Sequence, residues 1–256
     1  MIDSSARIDP SAEIGENVSI GPWSIIGPNV RIGDNCVIHS HVVIRSNTKV
    51  GNNNRIFQFA SVGEEPADKK FGGEESWLEI GDDNVFREGV TLHRGTEGGG
   101  GITSIGNSNL LMPYVHVAHD CMVGDNTVMA NNAGISGHVQ VDDWAILGGY
   151  AGVNQFLKIG AHSMVGGCTH ITNDVPAYVI VSGNPASVRS INSIGLERRG
   201  FSKQAILEIR KAYKIIYRQG LSLQEALEEL EVLKESCPEI QSLIDSLHAS
   251  EKGIHR

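Results

Sequence analysis

The stretch YVHVAHDC, residues 114–121, places His116 and His119 three residues apart, with Asp120 directly after them. A neutral imidazole can take the proton of an attacking hydroxyl. A neighbouring carboxylate can hold that imidazole in one tautomer. The same residue types can also bind a divalent cation, with His93 or His138 as a further ligand. Which chemistry applies depends on where the chain puts these groups.

The carrier is a six-residue repeat. Reading every sixth residue gives Ile8, Ile14, Ile20, Ile26, Ile32, Ile38, Ile44, Val50, Ile56 and Val62, and the phase returns at Ile80, Phe86 and Leu92. After a slip of one residue it runs from Ile105 through Leu111, Val117 and Val123 to Val165 and Ile171. A glycine often follows the apolar slot, as in IGEN, IGPN, IGDN and VGDN. A helix would need a period near 3.6 and a lone amphipathic strand a period of 2. A period of six predicts short strands joined by turns, three hexads to an 18-residue coil, with slot residues pointing into a triangular prism.

The coil length allows stacking by arithmetic. Adding 18 to His119 reaches Gly137, and adding 18 again reaches Gln155; Asp120 leads to His138 and then Phe156. Neighbouring coils lie about 4.8 Å apart, as strands do. The expected constellation is an exposed imidazole, a carboxylate, a second imidazole and an accessible peptide N–H at Gly137. It suits acyl transfer to a hydroxyl, with the Gly137 N–H donating to the developing oxyanion.

Two segments interrupt the rhythm. Residues 63–79, GEEPADKKFGGEESWLE, are polar where slots should fall, and residues 95–104, GTEGGGGITS, are expected to form a flexible glycine loop. Loops on a rigid scaffold commonly carry function. After Ile171 the repeat fades into a Pro/Gly-rich exit. A helix is expected from Ser202 to Gly220, a second behind the Ser222–Glu225 capping box, and a third near 238–249. The expected domains are therefore a prism over 1–188 and a helical domain over 189–256.

The formal net charge is −9, yet residues 189–220 hold eight basic and two acidic residues, a net of +6. Such an island in an acidic chain favours an anionic partner. Arg210, Lys211, Lys214 and Arg218 share one helix face. No apolar run approaches a membrane span, the start lacks a signal-peptide pattern, and the cytoplasm is the expected compartment. The four cysteines form no CxxC pair and are expected to be reduced. Nothing calls for nucleic acid as a partner.

HRGT at 93–96, NLLM at 109–112, HVAHDCMVGD at 116–125, ANN at 130–132, GHVQVDD at 137–143, DVPAYV at 174–179 and RRGFS at 198–202 together resemble the UDP-N-acetylglucosamine O-acyltransferase family. The resemblance runs essentially end to end. It implies a mainly β fold, a left-handed parallel β-helix with a C-terminal α-helical domain; the handedness comes from the resemblance alone. It implies transfer of a 3-hydroxyacyl group from acyl carrier protein to the 3-hydroxyl of UDP-GlcNAc, the first step of lipid A synthesis, by a homotrimer that needs no metal or other cofactor.

By the same resemblance His119 is the general base, Asp120 its supporting acid and Gly137 the oxyanion donor. His116 and His138 flank sugar and acyl chain, and Asp68 and Lys70 reach the sugar nucleotide. Gln155, Asn192, Arg198 and Arg199 match nucleotide and phosphate contacts. Gly167 matches an acyl-length ruler whose small size admits a longer chain. The basic helix face would then dock acyl carrier protein. Two residues depart from the family pattern: Asn154 stands where a histidine is usual, and Ile194 where an acidic residue is. Both bear on the sugar, so a 3-amino analogue of UDP-GlcNAc stays open as acceptor. The related N-acyltransferases carry a domain before the prism, whereas here the hexads begin at Ile2. A zinc protein like the γ-class carbonic anhydrases is the other alternative, although HVAH is too closely spaced for that site.

Overall fold

The computed structural model describes residues 1–255. The hexads fold as the period predicts. Most strands are two residues long, and each pairs in parallel with the strand one coil away, for example Ile25–Ile26 with Val43–Ile44 and His116–Val117 with Gly134–Ile135. Three flat faces result. Face 1 has nine strands, from Arg7–Ile8 to His170–Ile171, and face 2 has eight, from Glu13–Ile14 to Lys158–Ile159. Face 3 has ten and ends in an antiparallel pair, Val179–Ser182 with Ser187–Ile191. That last strand runs across residue 188.

Slot residues line the axis: Ile38, Ile56, Phe86, Leu111, Met129 and Leu147 are all fully buried. The residue four after a slot is also buried from Val18 onward, and over Asn54, Asn84, Asn109 and Thr127 these residues form a ladder, whereas the Thr48 and Ser163 hydroxyls at the same position meet no partner. Asn84 N–H donates to Asn54 Oδ1 at 3.0 Å, Asn109 N–H to Asn84 Oδ1 at 2.9 Å, and Thr127 Oγ1 to Asn109 Oδ1 at 2.8 Å. Buried amides paired in this way avoid the cost of unmet hydrogen bonds. The glycine after the slot has a steric cause: a Cβ on Gly33 would lie 2.7 Å from the Gly51 carbonyl carbon on the next coil.

Corners require one residue per turn at positive φ. Asn fills many of them, as at Asn17, Asn29, Asn35, Asn47 and Asn53, because its short polar side chain tolerates the left-handed region. Other corners hold bulky residues in the same conformation, among them Trp23, Phe59, Tyr114, Asp120, His138, Trp144 and Tyr150. Such residues are uncommon there. Four of them, Trp23, Phe59, Tyr114 and Tyr150, share the edge between faces 3 and 1.

The outward residues make the faces unlike. Face 2 is charged, with Arg31–Glu13 at 3.3 Å and Lys49–Glu79 at 2.7 Å. Face 3 presents half-buried Val37, Val85, Leu110, Val128, Ile146 and Met164. Face 1 presents Val43, Ser61, Thr91, His116, Gly134, Gly152 and His170.

The helical part comprises α1 (Ser193–Arg198), α2 (Lys203–Arg218), α3 (Leu223–Lys234) and α4 (Ile240–His248). Ser202 caps α2, and the Ser222–Glu225 capping box opens α3. The short α1 is absent from the sequence expectations, being too short to show a periodicity. No helix among the described residues is long and apolar enough to cross a membrane. Cys36, Cys121 and Cys237 are buried and Cys168 is exposed, all as free thiols.

Two expectations need correction. Residues 95–104 are not a flexible loop: Glu97–Gly99 form a 3₁₀ turn, and Ile102–Ile105 pair in register with Trp77–Ile80. Likewise the first interruption is shorter than 63–79, since Ser61–Glu64 and Trp77–Ile80 are strands. The polar and glycine content concealed strands whose hydrogen bonds are met by neighbouring coils.

Candidate active site

His119, Asp120, Gly137 and His138 sit on the edge between faces 1 and 2, stacked as the 18-residue arithmetic requires. The His138 N–H donates to the His119 carbonyl at 3.1 Å. His119 is not the exposed imidazole the sequence suggested; its side chain is 14% exposed and that of Asp120 is 0%. The cause is the second interrupting segment, which folds over Asp120. Thr96 donates to Asp120 from its backbone N–H to Oδ1 and from Oγ1 to Oδ2, both at 2.7 Å. Thr103 Oγ1 accepts from the Asp120 N–H at 2.7 Å. Gly99 must lack a side chain, because a Cβ there would fall 2.0 Å from Asp120 Cγ.

His119 Nδ1 lies 2.7 Å from Asp120 Oδ2. A carboxylate in that place holds the proton on Nδ1 and leaves Nε2 as the base. His119 packs on Gly137, where a Cβ would come within 2.6 Å of its Cε1. The Gly137 N–H meets no acceptor among the described residues, and Gly137 lines the same cavity as His119, about 460 Å³ in volume. A base and an oxyanion donor thus face one space.

Other expected residues share that cavity. His116 and Gln155 line it, together with Ala67, His93, Asn154 and His170, whereas His138 is outside the lining. His116 Nδ1 pairs with Thr91 Oγ1 at 2.8 Å. Burial, with some help from His93 and His119, pushes its pKa down to about 4. His138 stacks on Phe156 at 4.4 Å and meets His119 edge-on at 5.3 Å. Asp68 is one residue from the cavity-lining Ala67 and accepts from the Lys70 N–H at 3.0 Å; the Lys70 side chain is outside the cavity lining.

Asn192, Arg198 and Arg199 are elsewhere, on the edge between faces 2 and 3. Asn192 is buried and fully engaged, with Oδ1 accepting from the Gly195 N–H and Nδ2 donating to the His162 carbonyl. Its visible role is to cap α1. Arg199 Nη1 lies 3.2 Å from His162 Nδ1 and its guanidinium sits over Trp144. His162 is stacked between Trp144 and Tyr178, and burial followed by the Arg199 charge pushes its pKa down to about 4. Arg198 is exposed in the last turn of α1. Gly167 lies on the third edge, where a Cβ would be 3.2 Å from the Gly149 carbonyl.

His116 and His162 both favour the neutral form in the fold, whereas an unfolded histidine titrates near 6.5. Their stabilisation is complete above about pH 6.5 and is lost as pH falls from there towards 4. The melting temperature should drop between pH 7 and pH 5, mostly above the carboxylate range. A His116→Gln/His162→Gln double variant should show a shallower fall; an unchanged slope would contradict the assignment.

His119, Asp120 and His138 place potential ligand atoms within 4.8 Å of one another. The donor set does not fit a metal centre. Asp120 Oδ1 and Oδ2 already accept three hydrogen bonds from Thr96 and His119. An ion would have to break the bond that orients the base.

Short parallel strands in hexads, with an oriented imidazole facing a free peptide N–H, define a hexapeptide-repeat acyltransferase. Residues 11–46 and 102–137 match the bacterial transferase hexapeptide model. Residues 174–255 match the second domain of UDP N-acetylglucosamine O-acyltransferase. The acyl-[acyl-carrier-protein]–UDP-N-acetylglucosamine O-acyltransferase of Ectopseudomonas mendocina is 53% identical over 79% of each chain. The structure of LpxA from Acinetobacter baumannii superposes with a TM-score of 0.98 at 52% identity, covering 100% of this chain and 99% of that one. The Francisella novicida UDP-N-acetylglucosamine acyltransferase gives 0.98 at 40% identity, covering 100% and 94%. The chain belongs to the UDP-N-acetylglucosamine O-acyltransferase family, and its prism is the left-handed parallel β-helix of that family.

Thr96 is the site residue that sequence reasoning missed. HRGT was visible as a motif, but no spacing rule ties its threonine to a carboxylate 24 residues further on.

Proposed function

We propose that this enzyme moves a 3-hydroxyacyl group from acyl carrier protein to the 3-hydroxyl of UDP-GlcNAc in the cytoplasm. The observation that carries the reading is the Thr96–Asp120–His119 relay facing the free Gly137 N–H. His119 Nε2 removes the sugar hydroxyl proton as the oxygen attacks the thioester carbonyl. The Gly137 N–H takes up the oxyanion, and collapse expels the carrier thiol, which regains a proton from the imidazolium. His116, His138, Gln155 and the loop bearing Asp68 and Lys70 surround the sugar. Gly167 ends the acyl path. The test is direct assay of acyl transfer from 3-hydroxymyristoyl-acyl carrier protein to UDP-GlcNAc. Transfer to the 3-amino analogue alone would move the acceptor; transfer to neither would overturn the reading.

A homotrimer is the assembly we propose, with the sites shared between copies. Faces 1 and 3, whose outward rows over residues 85–170 carry no Lys, Arg, Asp or Glu, favour packing against each other, and charged face 2 favours water. If face 1 of one copy packs on face 3 of the next about a three-fold axis, the aromatic edge lies at the centre. There Trp23, Phe59, Tyr114 and Tyr150 are 64–67% exposed in the single chain. That packing also brings the His119 edge beside the Arg199 edge of the next copy, where an arginine pair suits a diphosphate; Asn192 contributes by holding α1. Mixing inactive His119→Ala chains with inactive Arg199→Ala chains should then restore roughly a quarter of the sites, since each draws on two copies of a cyclic oligomer. Mixed trimers without activity would place both residues in one copy.

Arg210, Lys211, Lys214 and Arg218 are all exposed on α2, and Leu207, 51% exposed, lies among them. We propose this stripe as the docking face for acidic acyl carrier protein. Lys211 already pairs with buried Glu208 at 2.8 Å, so Lys214→Glu is the cleaner probe. It should raise KM for the acylated carrier several-fold and leave kcat in place. An unchanged KM would remove the assignment. We also propose a prism domain and a helical domain, with the boundary moved from 188 to after the strand Ser187–Ile191 that ends face 3; residue 256 lies outside the described residues.

A further inference from the structure

The cavity that holds His119 does not end at Gln155. Ser136, Asn154 and Gln155 also line a second space of about 510 Å³, bounded further on by Leu157, Thr172 and Lys252. Neither Lys nor Arg lines the first space, and Lys252 is the one permanent cation lining the second. The two spaces form one groove beside the edge between faces 1 and 2, with the base part-way along and an ammonium group at its end. The nearby Asn154 amide is already engaged, its Oδ1 lying 2.8 Å from His170 Nε2.

Lys252 is not on the prism. It belongs to the segment after α4, which returns to the last coil and is stitched there mainly through backbone. The Asp174 N–H donates to the Gly253 carbonyl at 2.9 Å, and the His255 N–H to the Asp174 carbonyl at 3.1 Å. Asn173 Nδ2 donates to the Lys252 carbonyl at 3.2 Å, and Ser250 Oγ to Asp174 Oδ2 at 2.7 Å. These bonds fix the Lys252 backbone without using its side chain. That side chain stands over Phe156, with Nζ 6.0 Å from the ring centre, and Phe156 stacks in turn on His138. None of the ion pairs among the described residues includes Lys252.

A cation held at a groove wall with no counter-ion suits an anionic group of the substrate. Charge decides which end of the groove that group takes. At the opposite end Ala67 belongs to a loop with five acidic and two basic residues over 64–75, which disfavours phosphate. Both substrates of the proposed reaction carry phosphate, and length separates them. Lys252 lies against Thr172, no more than two coils from Gly137 along the edge, about 10 Å. A sugar with its 3-hydroxyl at His119 carries its diphosphate just across the ring, within that reach. The phosphopantetheine arm of the carrier is fully interposed between its thioester and its phosphodiester, which puts that phosphate well beyond.

We propose that Lys252 binds the diphosphate of UDP-GlcNAc, and that the segment after α4 thereby forms part of the active site. This rests on the acyl-transfer reading above. The arginine pair assigned there comes from the facing copy, whereas Lys252 is the cation supplied by the copy that bears the base. It touches no bond that forms or breaks, so it binds ground state and transition state alike and acts on KM.

Steady-state rates of wild type, Lys252→Met and Lys252→Arg test this. Methionine keeps the contact with Phe156 and removes the charge, and the backbone stitching stays. In Lys252→Met, KM for UDP-GlcNAc should rise about tenfold, the weight of one charge-assisted hydrogen bond. Inhibition by free UDP should weaken by a similar factor, while kcat and KM for the acylated carrier stay at wild-type values. Lys252→Arg, which restores the charge, should recover most of the loss. An unchanged KM for UDP-GlcNAc in Lys252→Met would overturn the proposal. A raised KM for the carrier alone would overturn it too, and would move Lys252 to the carrier's phosphodiester. Wild type without turnover would instead overturn the acyl-transfer reading beneath it.

Discussion

Replacing His119 with alanine will lower kcat by about 10²–10⁴-fold, the span of a general base, while the melting temperature stays near that of wild type. The side chain is held by a single strong partner, Asp120, and it fills no slot in the axial core, so the fold does not depend on it. The loss should appear in kcat with both acyl carrier protein and UDP-GlcNAc saturating, because the imidazole acts on the proton in flight. Steady-state rates beside thermal melts decide the matter. A kcat close to wild type would leave the fold standing and remove His119 from the chemistry. His138, 3.5 Å from Asp120 Oδ2 through Nε2, would then be the next base to test.

A methyl group at Gly137 will cost about 10²-fold in kcat, the order expected when a reacting group is displaced by about 1 Å. Gly137 has no positive φ, so alanine brings no backbone strain there. The new Cβ would lie 2.6 Å from His119 Cε1 and 2.8 Å from Nε2, and the imidazole must swing away from it. That motion breaks the 2.7 Å bond to Asp120 and shields the N–H offered to the oxyanion. The damage is to alignment, so binding of UDP-GlcNAc alone should change little, and calorimetry can check that. Normal turnover in Gly137→Ala would show that neither the imidazole position nor this N–H matters as argued.

The glycine and the histidine were both legible in the sequence because the coil has constant length. A period of six with apolar slots at Ile8 through Ile171 makes stacking a matter of addition, and the pairing of His119, Gly137, Asp120 and His138 follows from it. The capping box at Ser222 and the helix after Ser202 were legible too, since a cap is a local pattern. The reduced state of the cysteines and the basic face of α2 follow from residue counts and helical spacing.

What the sequence by itself determined, then, is everything periodic or local: the prism, its stacked corner residues and the capped helices. Only the tertiary structure decided how the interruptions of that period are used. Thr96 reaches Asp120 because residues 95–104 fold back and pair with Trp77–Ile80, a contact no repeat length predicts. The same folding turned the expected exposed imidazole into a mostly buried one. The resemblance matched Arg199 and Asn192 to nucleotide and phosphate contacts, and a chain that turns three corners per coil carries them to a different edge from His119. Asn154 looked like a lost histidine until His170 was found against it, because their meeting depends on side-chain reach across coils. Periodic packing can be read from spacing; insertions and side-chain contacts between coils depend on distances that only the folded chain sets.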